Sequence, residues 1–211
     1  GEVSLAHHGV LFLDEMPEFP RTVLETLRQP LEDGVVTIAR AHSTVQFPSR
    51  FMLVAAMNPT PKGDMSGSEH DQRQMQRYLA KISGPLIDRV DIHIEVPRVP
   101  YRQLTGQPTG TDSKTLRHHV LNARDKQLQR NGGPMKFNST LTGRELDQFV
   151  QLDDAARRLL DEAMTSLNLS ARAYDKIRRV ARTIADIEQV EQIQTQHISE
   201  AIAYRLLDRQ M

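Results

Sequence analysis

The chain has 211 residues, long enough for one large domain or two small ones and for a core that needs no disulfide staples. Its charge balances, with 27 Lys plus Arg against 27 Asp plus Glu, which argues against a histone-like or tail-like nucleic-acid binder and leaves room only for a local basic patch. There is no Cys, which excludes disulfides, thiolate zinc sites and cysteine nucleophiles; no stretch is apolar enough to span a bilayer and no signal-peptide pattern is present, so a cytoplasmic protein is expected.

The apolar share of 38% is low and 26% of residues are charged, so much of the chain is expected to be solvent-facing helix. Ten aromatics, six Phe and four Tyr, are too few and scattered for a base-stacking platform. The first half, slightly acidic, carries the strand signals. Val10 to Leu13 is an apolar run after Gly9 that stops at Asp14 and Glu15, the form of a buried parallel strand. Arg21 to Glu32 has helical spacing of Val23, Leu24, Leu27 and Leu31, with Pro20 at its start and Gly34 as a stop signal; Pro30 predicts a kink or an irregular last turn. Val35 to Ala39 and Ser43 to Phe47 read as a β-hairpin. Phe51 to Ala56 reads as a second buried strand ended by Asn58-Pro59, and Asp91 to Val96 as a third ended by Pro97. Between them, Thr60 to Asp71 reads as a loop and Gln72 to Ile82 as a helix. Strands separated by helices indicate an α/β sheet.

The second half, slightly basic, is helical. Thr105 to Ser113 reads as a linker, and Lys114 to Arg130 as a long polar helix. Thr142 with Glu145 has capping-box spacing. Asp153 to Leu167 continues as helix, and Ser170 caps another whose Tyr174, Ile177, Ala181 and Ile184 share a face. A last helix is expected over Thr195 to Arg209. The fold class is therefore α/β followed by all-α.

Four segments carry chemistry. Gly9 to Glu15 is an apolar strand ending in Asp-Glu, a pattern that presents acids at the ligand crevice of an open sheet. There Asp14 can hold Mg²⁺, usually through water, and Glu15 can polarise an attacking water. Alone, the same pattern also reads as a strand end with ordinary solvent-facing acids. Asn58 after the second strand fits a group that touches a γ-phosphate or orients the water; alone, the segment reads first as an Asn-Pro turn. Arg89 precedes the third strand, where it can project as an arginine finger or pair with Asp88 or Asp91. Arg172 sits in the first turn of its helix, where it can reach an anion. Lys176 and Arg179 share its side, and Arg178 and Arg182 read as a solvated basic face. His7-His8 and His118-His119 are adjacent pairs and lack the i, i+4 spacing of a helical metal site. Asp153-Asp154 and Asp161-Glu162 read as solvated faces or first-turn dipole partners.

The order of these segments, with GEVSLAHHGVLFLDEMPEF (1–19), LRQPLEDGVVTIARAHSTVQFPSRFMLVAAMNP (27–59), ISGPLIDRVDIHIEVPRVPY (82–101) and LSARAYDKIRRVARTIAD (169–186), resembles the magnesium-chelatase-like AAA+ ATPases of the ComM/YifB type. The resemblance implies a partial P-loop NTPase core, a parallel sheet with a β-hairpin insertion, plus a C-terminal helical lid. Its implied domains are 1–104 as core, 105–140 as linker and insertion helix, and 141–211 as lid. It implies ATP and Mg as cofactors, Asp14 and Glu15 as the Walker B pair, Asn58 as sensor 1, Arg89 as arginine finger and Arg172 as sensor 2. The 35–48 hairpin, with Arg40 and His42 at its tip, matches one that touches DNA in related hexameric motors. Implied too is a homo-oligomeric ring that drives DNA branch migration in recombination and natural transformation; the alternative is a chelatase-like motor subunit that remodels a protein partner without DNA contact. Two departures qualify it. Many relatives carry a Cys cluster after the sensor Asn-Pro, and here Thr60-Pro61-Lys62-Gly63 stands instead, so no zinc site is assigned. No GxxxxGK(S/T) loop is present, so the chain is expected to be a C-terminal piece, inactive by itself.

Overall fold

The computed structural model describes residues 1–40, 43–58, 73, 80–97, 99, 110–133 and 135–205. It falls into two compact units, Gly1–Val90 and Asp91–Met211.

The first unit opens with a short helix α1 (Glu2–Leu5), then strand β1 (Val10–Leu13) and a 3-10 turn at Met16–Glu18. Helices α2 (Arg21–Thr26) and α3 (Arg28–Asp33) lead to strands β2 (Val35–Arg40), β3 (Ser43–Pro48) and β4 (Met52–Ala55), and α4 (Gly84–Ile87) follows. The expected single helix over 21–32 is thus two. Pro30 has no N–H to give the Thr26 carbonyl and its ring crowds that group, so the break falls at Leu27, one turn ahead of the proline. The Leu27 N–H turns back to Leu24 O at 3.1 Å. Gly34, at φ +67°, ends α3. A Cβ there would lie 2.9 Å from Arg50 Cγ, so both its conformation and its neighbour call for glycine.

Among the described residues the strands form two separate two-stranded sheets. β1 and β4 pair in parallel, Val10 opposite Met52 through Leu13 opposite Ala55. β2 and β3 form the expected antiparallel hairpin, Val35 opposite Pro48 through Arg40 opposite Ser43, which leaves a two-residue tip at 41–42 outside the described residues. The expectation of fully buried strands is corrected. Val10, Phe12, Met52 and Val54 stand exposed on one face of the β1–β4 pair, Phe12 at 59%. Apolar runs of this kind are hidden only when layers cover both faces of a sheet, and among the described residues nothing covers this face. The buried part of the unit is formed by Met16, Leu24, Leu27, Ile82, Leu86 and Ile87.

The second unit begins with an irregular segment. The expected strand over Asp91–Val96 does not form: residues 92–97 carry no regular secondary structure. The His93 N–H is spent on Tyr204 O at 2.8 Å, and Asp91 O accepts from Arg205, so these groups bond to the end of the last helix and not to a sheet. Among the described residues the helices that follow are α5 (Ser113–Asn131), α6 (Gly143–Phe149), α7 (Asp154–Ser166), α8 (Ala171–Ile187) and α9 (Thr195–Ala203). Their ends follow capping chemistry. Asp112 Oδ1 accepts from Thr115 N–H at 2.7 Å, Asp153 Oδ1 from Ala156 N–H at 2.7 Å and Ser170 Oγ from Ala173 N–H at 3.1 Å. Thr142 and Glu145 close the expected capping box. The core packs Leu146, Leu160, Ile177, Ala181, Ile193 and Ile198 from α6 to α9, which confirms the apolar face read from 174–184. The expected helix over 72–82 and linker over 105–113 fall largely outside the described residues, as does the last helix beyond Arg205. Among the described residues no helix is long and apolar enough to cross a membrane.

Candidate functional site

The parallel pair sets the geometry. The Ala56 N–H donates to Leu13 O at 2.8 Å and the Met16 N–H to Ala56 O at 2.9 Å, so the C-terminal ends of β1 and β4 lie side by side. Asp14 and Glu15 therefore emerge beside the segment that carries Asn58, and all three residues are exposed. Asp14 Oδ1 accepts the Glu15 N–H at 3.0 Å. Glu15 stands at φ 49°, ψ 46°, the left-handed region, which costs a non-glycine residue energy and recurs where a side chain is aimed for function. The turn swings the chain abruptly away from the strand line and sends Met16 and Pro17 inward, where both are buried.

The N-terminal ends of the same strands are joined by the histidines. His7 Nδ1 accepts the Arg50 N–H at 3.1 Å, the His8 N–H donates to Arg50 O at 2.6 Å, and the two imidazoles lie 3.9 Å apart. Desolvation first, then His8 and Arg50, hold the His7 imidazole below its ordinary value. The pair thus serves to fix the start of β1 against Arg50, two positions ahead of β4, a contact 43 positions apart that no local pattern announces.

Arg89 lies in the same unit, in the turn that follows α4. Its guanidinium pairs with Glu32 of α3, and it donates to Pro85 O at 2.7 Å. The sequence pointed to Asp88 or Asp91 as partners; Asp91 pairs with Lys176 at 2.9 Å. Glu32, Arg89, Glu25, Arg28, Gln29 and Asp33 line a cleft of about 390 Å³. In it Glu25 is held below the usual carboxylate range by the Ser83 hydroxyl first and then by Arg28 at 2.9 Å.

Arg172 lies in the second unit, exposed in the first turn of α8. The expected solvated face of α8 is corrected: Arg178 and Arg182 are both buried. Arg178 pairs with Asp147 at 2.8 Å and lies over the Tyr174 ring. Arg182 donates to Asp186 Oδ1 at 3.1 Å and to Val190 O at 2.7 Å. Asp186, fully buried, also accepts both terminal nitrogens of Arg130 at 2.6 and 2.8 Å and the Asn138 amide at 2.8 Å. The network ties α5 and the 3-10 turn at Asn138–Thr140 to α8. The i, i+4 spacing of Arg182 and Asp186 could have signalled it. Arg179 donates to Leu141 O at 2.9 and 3.1 Å. Arg40 is exposed at the end of β2, and His42 lies outside the described residues.

Comparison with known proteins gives the family. The sequence profile described as "Magnesium chelatase, subunit ChlI" matches residues 1–104, and that of the ChlI C-terminal part matches residues 110–205. Competence protein ComM of Haemophilus influenzae is 46% identical, a match covering 99% of this chain and 41% of ComM. The uncharacterized protein YifB of Salmonella typhimurium is 42% identical, with 99% of this chain and 41% of YifB covered. The DNA replication licensing factor mcm6 of Dictyostelium discoideum is 22% identical, with 99% of this chain and 22% of the relative covered. The chain thus spans 41% of the length of ComM and of YifB.

Proposed function

This chain belongs to the magnesium-chelatase family, and we propose that its first unit carries the hydrolytic residues of an AAA+ ATPase that works on DNA as a homo-oligomeric ring. The observation that carries the reading is the parallel register of β1 and β4, which sets Asp14, Glu15 and Asn58 at one end of adjacent strands, the end at which open α/β sheets bind nucleotides.

Asp14 fits a hydrated Mg²⁺. One of its oxygens is taken by the Glu15 N–H, the rest of the carboxylate faces solvent, and Mg²⁺ keeps most of its waters while taking one or two carboxylates. Held there by Asp14, Mg²⁺ accompanying ATP would supply positive charge against the transferring phosphoryl group. Glu15 takes the proton of the attacking water, and Asn58 orients that water or contacts the γ-phosphate. Arg89 reaches a neighbouring subunit's nucleotide, and Arg172 contacts phosphate from the helical lid. Residues 1–104 act as core, 105–140 as linker and insertion helix, and 141–211 as lid. The 211 residues contain no GxxxxGK(S/T) loop; by themselves they have no phosphate cradle and turn over no ATP.

The similarity to ComM and mcm6, whose names concern competence and DNA replication, supports DNA as the track; the work proposed on it is branch migration during transformation. The 35–48 hairpin would touch phosphate through Arg40 and His42. One observation favours the second reading, remodelling of a protein partner without DNA contact: Ile38, Val45 and Phe47 on the hairpin are exposed and apolar. The central test is Glu15→Gln in the full-length protein. ATP binding is expected to persist and turnover to fall at least a hundredfold. Turnover near wild type would overturn the role of Glu15.

A further inference from the structure

Arg89 is engaged by its own chain in a way its proposed task does not explain. The side chain is only 13% exposed, folded back along α4 with one terminal nitrogen on Pro85 O at 2.7 Å and the other on Glu32. Its Nε is buried without a hydrogen-bond partner. A guanidinium offers five N–H donors in a rigid fork, so this seat satisfies it incompletely. Glu32, by contrast, is 46% exposed and borders the open cleft described above. The contact joins residues 57 positions apart, so chain connectivity does not impose it.

We propose that Glu32 is a positioning residue that parks Arg89 on its own subunit, and that release of Arg89 from Glu32 precedes its delivery to a neighbouring nucleotide. The inference rests on the reading of Arg89 as a finger that acts in trans. A finger of this kind must place its charge beyond its own subunit, and a carboxylate that neutralises it in place opposes that step. Because Glu32 is half-exposed, water and salt weaken the pair. The hold is therefore modest, the size suited to a latch that neighbour contacts can open.

The experiment measures ATP turnover of the full-length protein against subunit concentration at saturating Mg·ATP, for wild type, Glu32→Gln, Glu32→Lys, Glu32→Asp and Arg89→Ala. Glu32→Gln is expected to lower the subunit concentration for half-maximal turnover about two- to fivefold, and Glu32→Lys, which repels Arg89, at least as much. Glu32→Asp, which keeps the charge, stays near wild type. A gain of this kind cannot come from damage to the fold, which lowers activity. Unchanged or reduced turnover in both Glu32→Gln and Glu32→Lys, with Arg89→Ala inactive, would overturn the parking role and leave the finger intact. Full turnover by Arg89→Ala would instead overturn the finger, and the parking role with it.

Discussion

Asp186→Asn is the substitution with the largest consequence worked from the structure for the helical unit. Asp186 is 0% exposed and Arg182 is 3% exposed. Asp186 accepts four hydrogen bonds, two at each oxygen, from Arg130, Arg182 and Asn138. Burial pushes the Arg182 guanidinium below its ordinary value, Asp186 opposes that shift, and Arg130 adds to it. An asparagine keeps the shape but presents a single acceptor oxygen, and its NH₂ faces donors. Two of the four bonds are lost, and two guanidiniums are left sharing a pocket without the carboxylate that bridged them. Breaking a buried pair by removing one partner costs about 3–5 kcal/mol, which for a unit of this size corresponds to a Tm lower by roughly 12–25 °C. Circular dichroism at 222 nm follows the unfolding directly, because the unit is helical. Adding Arg182→Met to Asp186→Asn should recover part of the loss, since it removes one uncompensated charge, and the two effects should not add. A Tm within about 4 °C of wild type for Asp186→Asn would refute the view that this network holds α5 to α8.

Two further outcomes follow from the same kind of reasoning. Lys136 first, then the Thr142 N–H and hydroxyl, hold the Glu145 carboxyl down at about 2, from an ordinary 4.5; a depressed carboxylate contributes stability above the ordinary value that is lost as pH falls toward 2. Wild type should therefore lose more in its urea midpoint between pH 4.5 and 2.5 than Glu145→Gln does, and parallel curves would refute the assignment. Gly34→Ala places a Cβ in the left-handed region, 2.9 Å from Arg50 Cγ, and should cost about 1–2 kcal/mol; an unchanged denaturation midpoint would show that the hairpin base can shift without penalty.

Local chemistry was legible in the sequence where one segment decides its own conformation. The hairpin, the Thr142–Glu145 box, the Ser170 cap and the strand that stops at Asp14 are all of this kind. What escaped depended on distant partners. Asp91–Val96 alternates apolar and polar residues as a strand does, yet its backbone bonds go to Tyr204 and Arg205, more than a hundred positions later. Arg178 and Arg182 look like a solvated face because Arg and Asp are usually exposed. Their burial is made possible by Asp147, Asp186 and backbone carbonyls that periodicity does not place. The kink was read from Pro30, but its position follows from which carbonyl the proline fails to satisfy, Thr26.

The candidate residues differ in how cleanly a substitution can test them. Asp14, Glu15, Asn58, Arg40 and Arg172 are exposed, so shortening or neutralising them removes chemistry with little packing cost. Arg89 is embedded, and Arg89→Ala would both remove a charge and leave Glu32 and Pro85 O without it. A loss of turnover in that variant mixes a catalytic effect with a structural one. Mixed rings resolve part of this, because a subunit that supplies an intact Arg89 restores its neighbour's turnover only if the group acts in trans. The Glu32 variants resolve the rest, since they leave the guanidinium in place and change only what holds it. If Arg89 were a structural arginine, freeing it would weaken the α3–α4 contact and lower activity. Only an arginine that must leave its seat to work gains from losing its partner.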